Sequence, residues 1–190
     1  MKKAWIILAA LALLLCGCGQ QKDSHPEWDE DWTRFENLLA AETLDGWILY
    51  EYNPTLSMGG IWYATWATGE ERMLTNADGE EAAAYDAQIY LLVKECGSED
   101  EAAQNIADWL DREAQSYESG ESFERSVGGQ SYTFLPLNEA NADNPYSHGA
   151  AAFGLRGNLA ISVEVLCVDG FVDDPQSLLE QFLSGIHYGK

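Results

Sequence analysis

The chain has 190 residues, enough for one domain with a real hydrophobic core. Thirty-two acids stand against ten lysines and arginines, a net charge of −22. Such a field repels phosphate backbones and anionic head groups, which excludes nucleic-acid binding and keeps the domain from lying on a membrane surface. The acids are spread along the chain, as on a solvated surface, with cation binding as the second reading.

Lys2 and Lys3 precede an apolar run from Ala4 to Leu15, the order of a secretory signal peptide and too short to span a bilayer. The tetrad Leu15-Cys16-Gly17-Cys18 resembles the lipobox of bacterial lipoproteins, departing from it only in having Cys at position 16. The resemblance implies that residues 1–17 are a cleaved signal peptide and that Cys18 is the lipidated N-terminus, carrying acyl chains such as palmitate. Two or more chains anchor a protein stably where one does not. Lipidation at Cys16, or an ordinary secretory signal, are the alternatives. The expected place is the cell envelope, lipid-anchored on the extracytoplasmic side of a membrane. Residues 18–26 read as a short polar tether, and residues 27–190 as a single domain.

The first helix is expected to begin near Ser24 or Asp29, with the stripe Trp28, Trp32, Phe35 and Leu39. Strands follow at Trp47 to Tyr52 and Ile61 to Thr68, joined through Asn53-Pro54 and Gly59-Gly60, and at Tyr85 to Glu95. Asp78-Gly79 suits a hairpin turn. An EF-hand is excluded there, because Leu74 and Tyr85 stand where its first and last acids would be.

A second helix starts at Ser98-Glu99-Asp100-Glu101, burying Ala102, Ala103, Ile106, Trp109, Leu110 and Ala114. Phe123 to Val127 and Gln130 to Leu137 form a hairpin about Gly128-Gly129, and Gly149 to Leu155 and Leu159 to Val168 another about Gly157-Asn158. The last helix begins at Asp174-Pro175 and buries Leu178, Leu179, Phe182 and Ile186. The order α-β-β-β-α-β-β-β-β-α predicts an α+β fold, a predominantly antiparallel sheet of about six to seven strands covered by three helices. This order, with Val127-Gly128-Gly129-Gln130 and the final Leu159 to His187, resembles the PsbP/Mog1/DcrB-like fold over about Gly46 to Tyr188. The resemblance implies a binding or assembly protein.

No cofactor loop and no metal-binding histidine pair is present, so no cofactor, metal or catalytic residue is assigned. His148 reads as an exposed loop residue, since adjacent side chains such as Ser147 and His148 seldom face each other. The paired acids Asp29 with Asp31 and Asp173 with Asp174 fit helix starts. The sharpest feature is the aromatic crowding in the first hairpin. Trp62, Ala64 and Trp66 share one face of a strand, and Ile61, Tyr63 and Thr65 the other. Exposed, Trp62, Trp66, Tyr63 and Trp47 would make a platform for a protein or glycan ligand; buried, they fill the space between sheet and helices. Cys96 and Cys167 could form a disulfide, but by parity they point to opposite faces of the sheet. The function predicted is a lipid-anchored extracytoplasmic binding or assembly protein without enzymatic activity, with a small cell-wall or glycan hydrolase as the alternative.

Overall fold

The computed structural model describes residues 30–53, 61–75, 79–140 and 146–189. The signal, Cys18, the proposed helix start at Ser24 or Asp29, Trp28, Pro54, Gly59, Gly60, Asp78 and Asp143 lie outside them. The chain divides into two compact units, Met1–Thr33 and Arg34–Lys190, and all the strands and the two later helices below belong to the second.

The elements are α1 (Glu30–Leu38), β1 (Leu39–Ala41), β2 (Ile48–Asn53), β3 (Ile61–Thr68), β4 (Arg72–Thr75), β5 (Glu81–Ala84), β6 (Ala87–Glu95), α2 (Glu99–Ser116), β7 (Tyr117–Ser119), β8 (Phe123–Val127), β9 (Gln130–Ala140), β10 (His148–Arg156), β11 (Leu159–Cys167), α3 (Pro175–Ser184) and β12 (Ile186–Tyr188). An eight-stranded antiparallel sheet runs β2-β3-β6-β11-β10-β9-β7, with β8 also paired to β9. All seven predicted strands are in it, and the fold is α+β.

Two-stranded ribbons are added by β1 with β12 and by β4 with β5. The first corrects two helical assignments. Leu39 and Ile186 continue the apolar stripes of their helices by spacing, yet both lie in ribbon strands, because α1 stops at Leu38 and α3 at Ser184. The β4–β5 ribbon is the hairpin expected around Asp78-Gly79. It is tied to the sheet by Asp86, which pairs with Arg72 and accepts from the Glu70 amide at 2.9 Å. Gly69 permits that approach: its φ is +84°, and a Cβ there would stand 2.5 Å from an Asp86 carboxylate oxygen.

The helix starts are local chemistry. Ser98 caps α2 by accepting from the Glu101 amide at 3.1 Å, and Asp174 caps α3 by accepting from the Ser177 amide at 2.9 Å, with Pro175 at the first helical position. The two helices take opposite faces of the sheet. On one, Ala102 and Trp109 of α2 pack with Leu135, Leu137, Ala151, Phe153 and Leu166. Ala103 and Ala114 are exposed instead, since alanine tolerates either side of a helix and its spacing alone does not place it. On the other, Phe182 of α3 meets Trp66 edge to face at 5.0 Å.

Candidate functional site

The register of β3 against β6 sorts the hairpin aromatics. Trp62, Ala64 and Trp66 lie opposite Val93, Leu91 and Ile89 on the α3 face, while Tyr63 and Thr65 lie opposite Leu92 and Tyr90 on the α2 face. Trp62 is 1% exposed and Trp66 2%, so both are core residues, shut from any ligand by the α3 side of the fold. The Trp66 indole N–H donates to Thr43 Oγ1 at 2.9 Å, and the Arg34 guanidinium lies over the Trp62 ring at 5.6 Å. Trp47 is half-buried just before β2. Of the four aromatics expected to form one platform, the register gives Tyr63 the opposite face from Trp62 and Trp66.

A different aromatic cluster occupies the α2 face. α2 itself lies over β11, β10, β9 and β7, and leaves β2, β3 and the near side of β6 to side chains. Tyr50, at a bulge in edge strand β2, is 47% exposed and meets Tyr85 edge to face at 5.1 Å; Ile48 beside it is 48% exposed. The Tyr63 hydroxyl donates to Glu51 at 3.0 Å, and the Tyr90 hydroxyl donates to Gln88. Below them Thr65 is 2% exposed, and its hydroxyl makes no hydrogen bond among the described residues. Burial first, then the carboxylates of Glu164 and Glu51, pushes the Tyr90 phenol up to about 12. Tyr85 is raised by burial and by Glu71, and Tyr146 by burial and then by Tyr90. These phenols therefore stay protonated donors, held among carboxylates that can accept from a cationic partner.

Next to this cluster, Glu164 of β11 is hydrogen-bonded to Glu113 of α2. Burial raises both carboxyls, with the neighbouring charge adding to the rise at Glu164 and Arg112 opposing it at both. Two acids in direct contact share a proton. A glycosidase needs its pair about 5–9 Å apart to admit a sugar or a water, which this contact does not allow.

His148 departs from the sequence expectation. It opens β10 half-buried, its Nδ1 2.8 Å from the Ser147 hydroxyl and its Nε2 3.0 Å from the Val172 carbonyl. Neighbouring side chains meet here because Ser147 is turned toward β11, where both its amide and its hydroxyl reach the Cys167 carbonyl. A carbonyl oxygen can only accept, so Nε2 is the donor in its bond to Val172. Cys96 and Cys167 are both buried free thiols.

Nothing in the sequence pattern marked Tyr50, Tyr85 and Tyr90 as one group, since they come from separate segments. Glu164 did carry a signal, as an acid inside the apolar run Leu159 to Val168. Among the described residues no group of three or more His, Cys, Asp or Glu could hold a metal ion, and no helix is long and apolar enough to cross a membrane.

No protein-family model matches the chain, and no curated protein matches it. Among solved structures, it is similar to cyanobacterial PsbP (CyanoP) from Synechocystis, with 16% identity and a TM-score of 0.49, over 80% of this chain and 88% of that one. A crystal structure of a protein from Bacteroides thetaiotaomicron aligns with 9% identity and a TM-score of 0.45, over 80% of this chain and 46% of that one. At such identities and TM-scores, neither likeness assigns a family or an activity.

Proposed function

We propose that the chain is a lipid-anchored extracytoplasmic binding or assembly protein, and that it meets its partner through the tyrosine and carboxylate surface around Tyr50, Tyr63 and Tyr85. Residues 1–17 would be removed, Cys18 would carry the lipid, and residues 18–26 would hold the domain close to its membrane. The observation that carries the reading is the exposure of Tyr50 and Ile48, 47% and 48%, on an edge strand bordered by Glu51. Aromatic and apolar groups beside acids suit the stems and charged heads of lysine or arginine side chains, by stacking and by cation–π attraction. The net charge of −22 draws a basic partner in and repels acidic ones.

The test is retention of the mature protein on immobilised basic peptides, peptidoglycan fragments and glycans, with product formation followed at the same time. Retention on the basic peptides that weakens with salt and is lost in Tyr50→Ala, with circular dichroism unchanged, supports the reading. Retention indifferent to Tyr50→Ala and Ile48→Ala removes this surface from binding. Product formation abolished by His148→Ala or Glu164→Gln would replace the binding reading with the hydrolase.

A further inference from the structure

On the other face of the sheet, the turn between β10 and β11 borders an open cleft of about 200 Å³, lined by Asn37 and Leu38 of α1, Arg156, Asn158 and Leu159 about the turn, and Tyr188 and Gly189 at the end of β12. We propose that this cleft binds small organic carboxylates, with Arg156 as the group that holds the anion.

Charge singles out Arg156. Six lysines and arginines lie among the described residues. Arg34, Arg72, Lys94 and Arg125 pair with Glu95, Asp86, Glu101 and Glu180, and Arg112 acts on Glu113 and Glu164. Arg156 has no carboxylate partner among the described residues, although acids outnumber bases 32 to 10 in the chain. Its guanidinium lies over the Tyr188 ring at 4.5 Å. Stacking fixes the plane of the fork and leaves its edge free to take both oxygens of a carboxylate.

The walls are held before any ligand arrives. The Tyr188 hydroxyl is hydrogen-bonded to that of Tyr132 at 2.5 Å, the Gly189 amide donates to Leu38 at 3.0 Å, and Asn158 donates to Cys96 at 2.7 Å. Close approach requires glycine at 189, where a Cβ would stand 1.8 Å from the Asn37 carbonyl oxygen. A prearranged wall spares the ordering cost of binding. Leu38 and Leu159 give the ligand an apolar side, and Asn37 stands beside them in the lining. A single guanidinium in so acidic a molecule favours a monoanion over a phosphate dianion, whose second charge has no partner here.

The experiment titrates the mature, lipid-free protein with N-acetylalanine, its methyl ester and inorganic phosphate, following the Arg156 Nε–H signal by NMR. N-acetylalanine should shift that signal saturably, and the ester should not. Arg156→Gln should weaken binding by about tenfold or more, the cost of one charged hydrogen-bonded contact, with the rest of the spectrum retained because the side chain is exposed. Asn37→Asp should also abolish it, by giving Arg156 an internal carboxylate. An unmoved Arg156 signal, equal response to the ester, tighter binding of phosphate, or full affinity in Arg156→Gln would each overturn the assignment.

Discussion

Glu164, in the middle of the central strand β11, shares a hydrogen bond with Glu113 of the helix that covers it, so the sheet and α2 are joined by two acids. The bond requires one proton between them. Glu164 is raised to about 8, so the folded state holds a proton that the unfolded chain releases near the ordinary carboxylate range. The associated stability is present below that range and is lost as pH rises toward 8. Thermal unfolding should show a falling Tm from pH 5 to pH 8.5. Glu164→Gln, which keeps a donor to Glu113 without needing the proton, should flatten the slope and gain on the order of 1–2 kcal/mol at pH 8. An unchanged slope would place the pH dependence in the general repulsion of the acids instead.

Trp66→Ala and Trp62→Ala should each cost about 3–5 kcal/mol, because a buried indole leaves a cavity that the sheet and helices cannot close. Tyr50→Ala, at an exposed position, should cost about 1 kcal/mol or less. Denaturant titration separates the two classes, and equal costs would contradict the burial pattern.

Cys96 and Cys167 should both titrate as free thiols when the protein is denatured without reductant, and neither should react while it is folded. Cys167 lies beside Ala87 at one end of β6, and Cys96 follows Glu95 at the other, roughly 25–30 Å away at strand rise. A disulfide needs Cα atoms within about 7 Å. Burial also pushes Cys167 up to about 12 and raises Cys96, so little thiolate is present at neutral pH. A crosslinked peptide containing both cysteines would refute this arrangement.

Cys18→Ala should abolish lipid labelling and leave the precursor uncut in a metabolic labelling experiment. Labelling that persists would move the anchor to Cys16.

The hairpins were legible because their turns are written in glycine: Gly128-Gly129 and Gly157, all at positive φ, fix where β8 meets β9 and β10 meets β11. The three-residue strands β1, β7 and β12 were not, since three residues carry no period and Leu39 and Ile186 also fit the helices before them. Period two correctly separated Trp62 and Trp66 from Tyr63. It could not say which face α3 would cover, because that depends on a helix more than a hundred residues later. The tyrosine surface was hidden for the same reason, being assembled from β2, β3, β6 and the segment before β6.

The ribbon of β1 and β12 sets Leu39 against Tyr188 and Ala41 against Ile186. Leu39 is fully buried, and the ribbon that holds it joins strands far apart in the chain, a non-local closure that forms slowly. The same pairing decides how the domain yields to force. Leu39 and Tyr188 stand at one end of the ribbon, so a pull between the two flanking segments parts the pairs one after another, like a zip, and the sheet behind them is spared until the ribbon has gone.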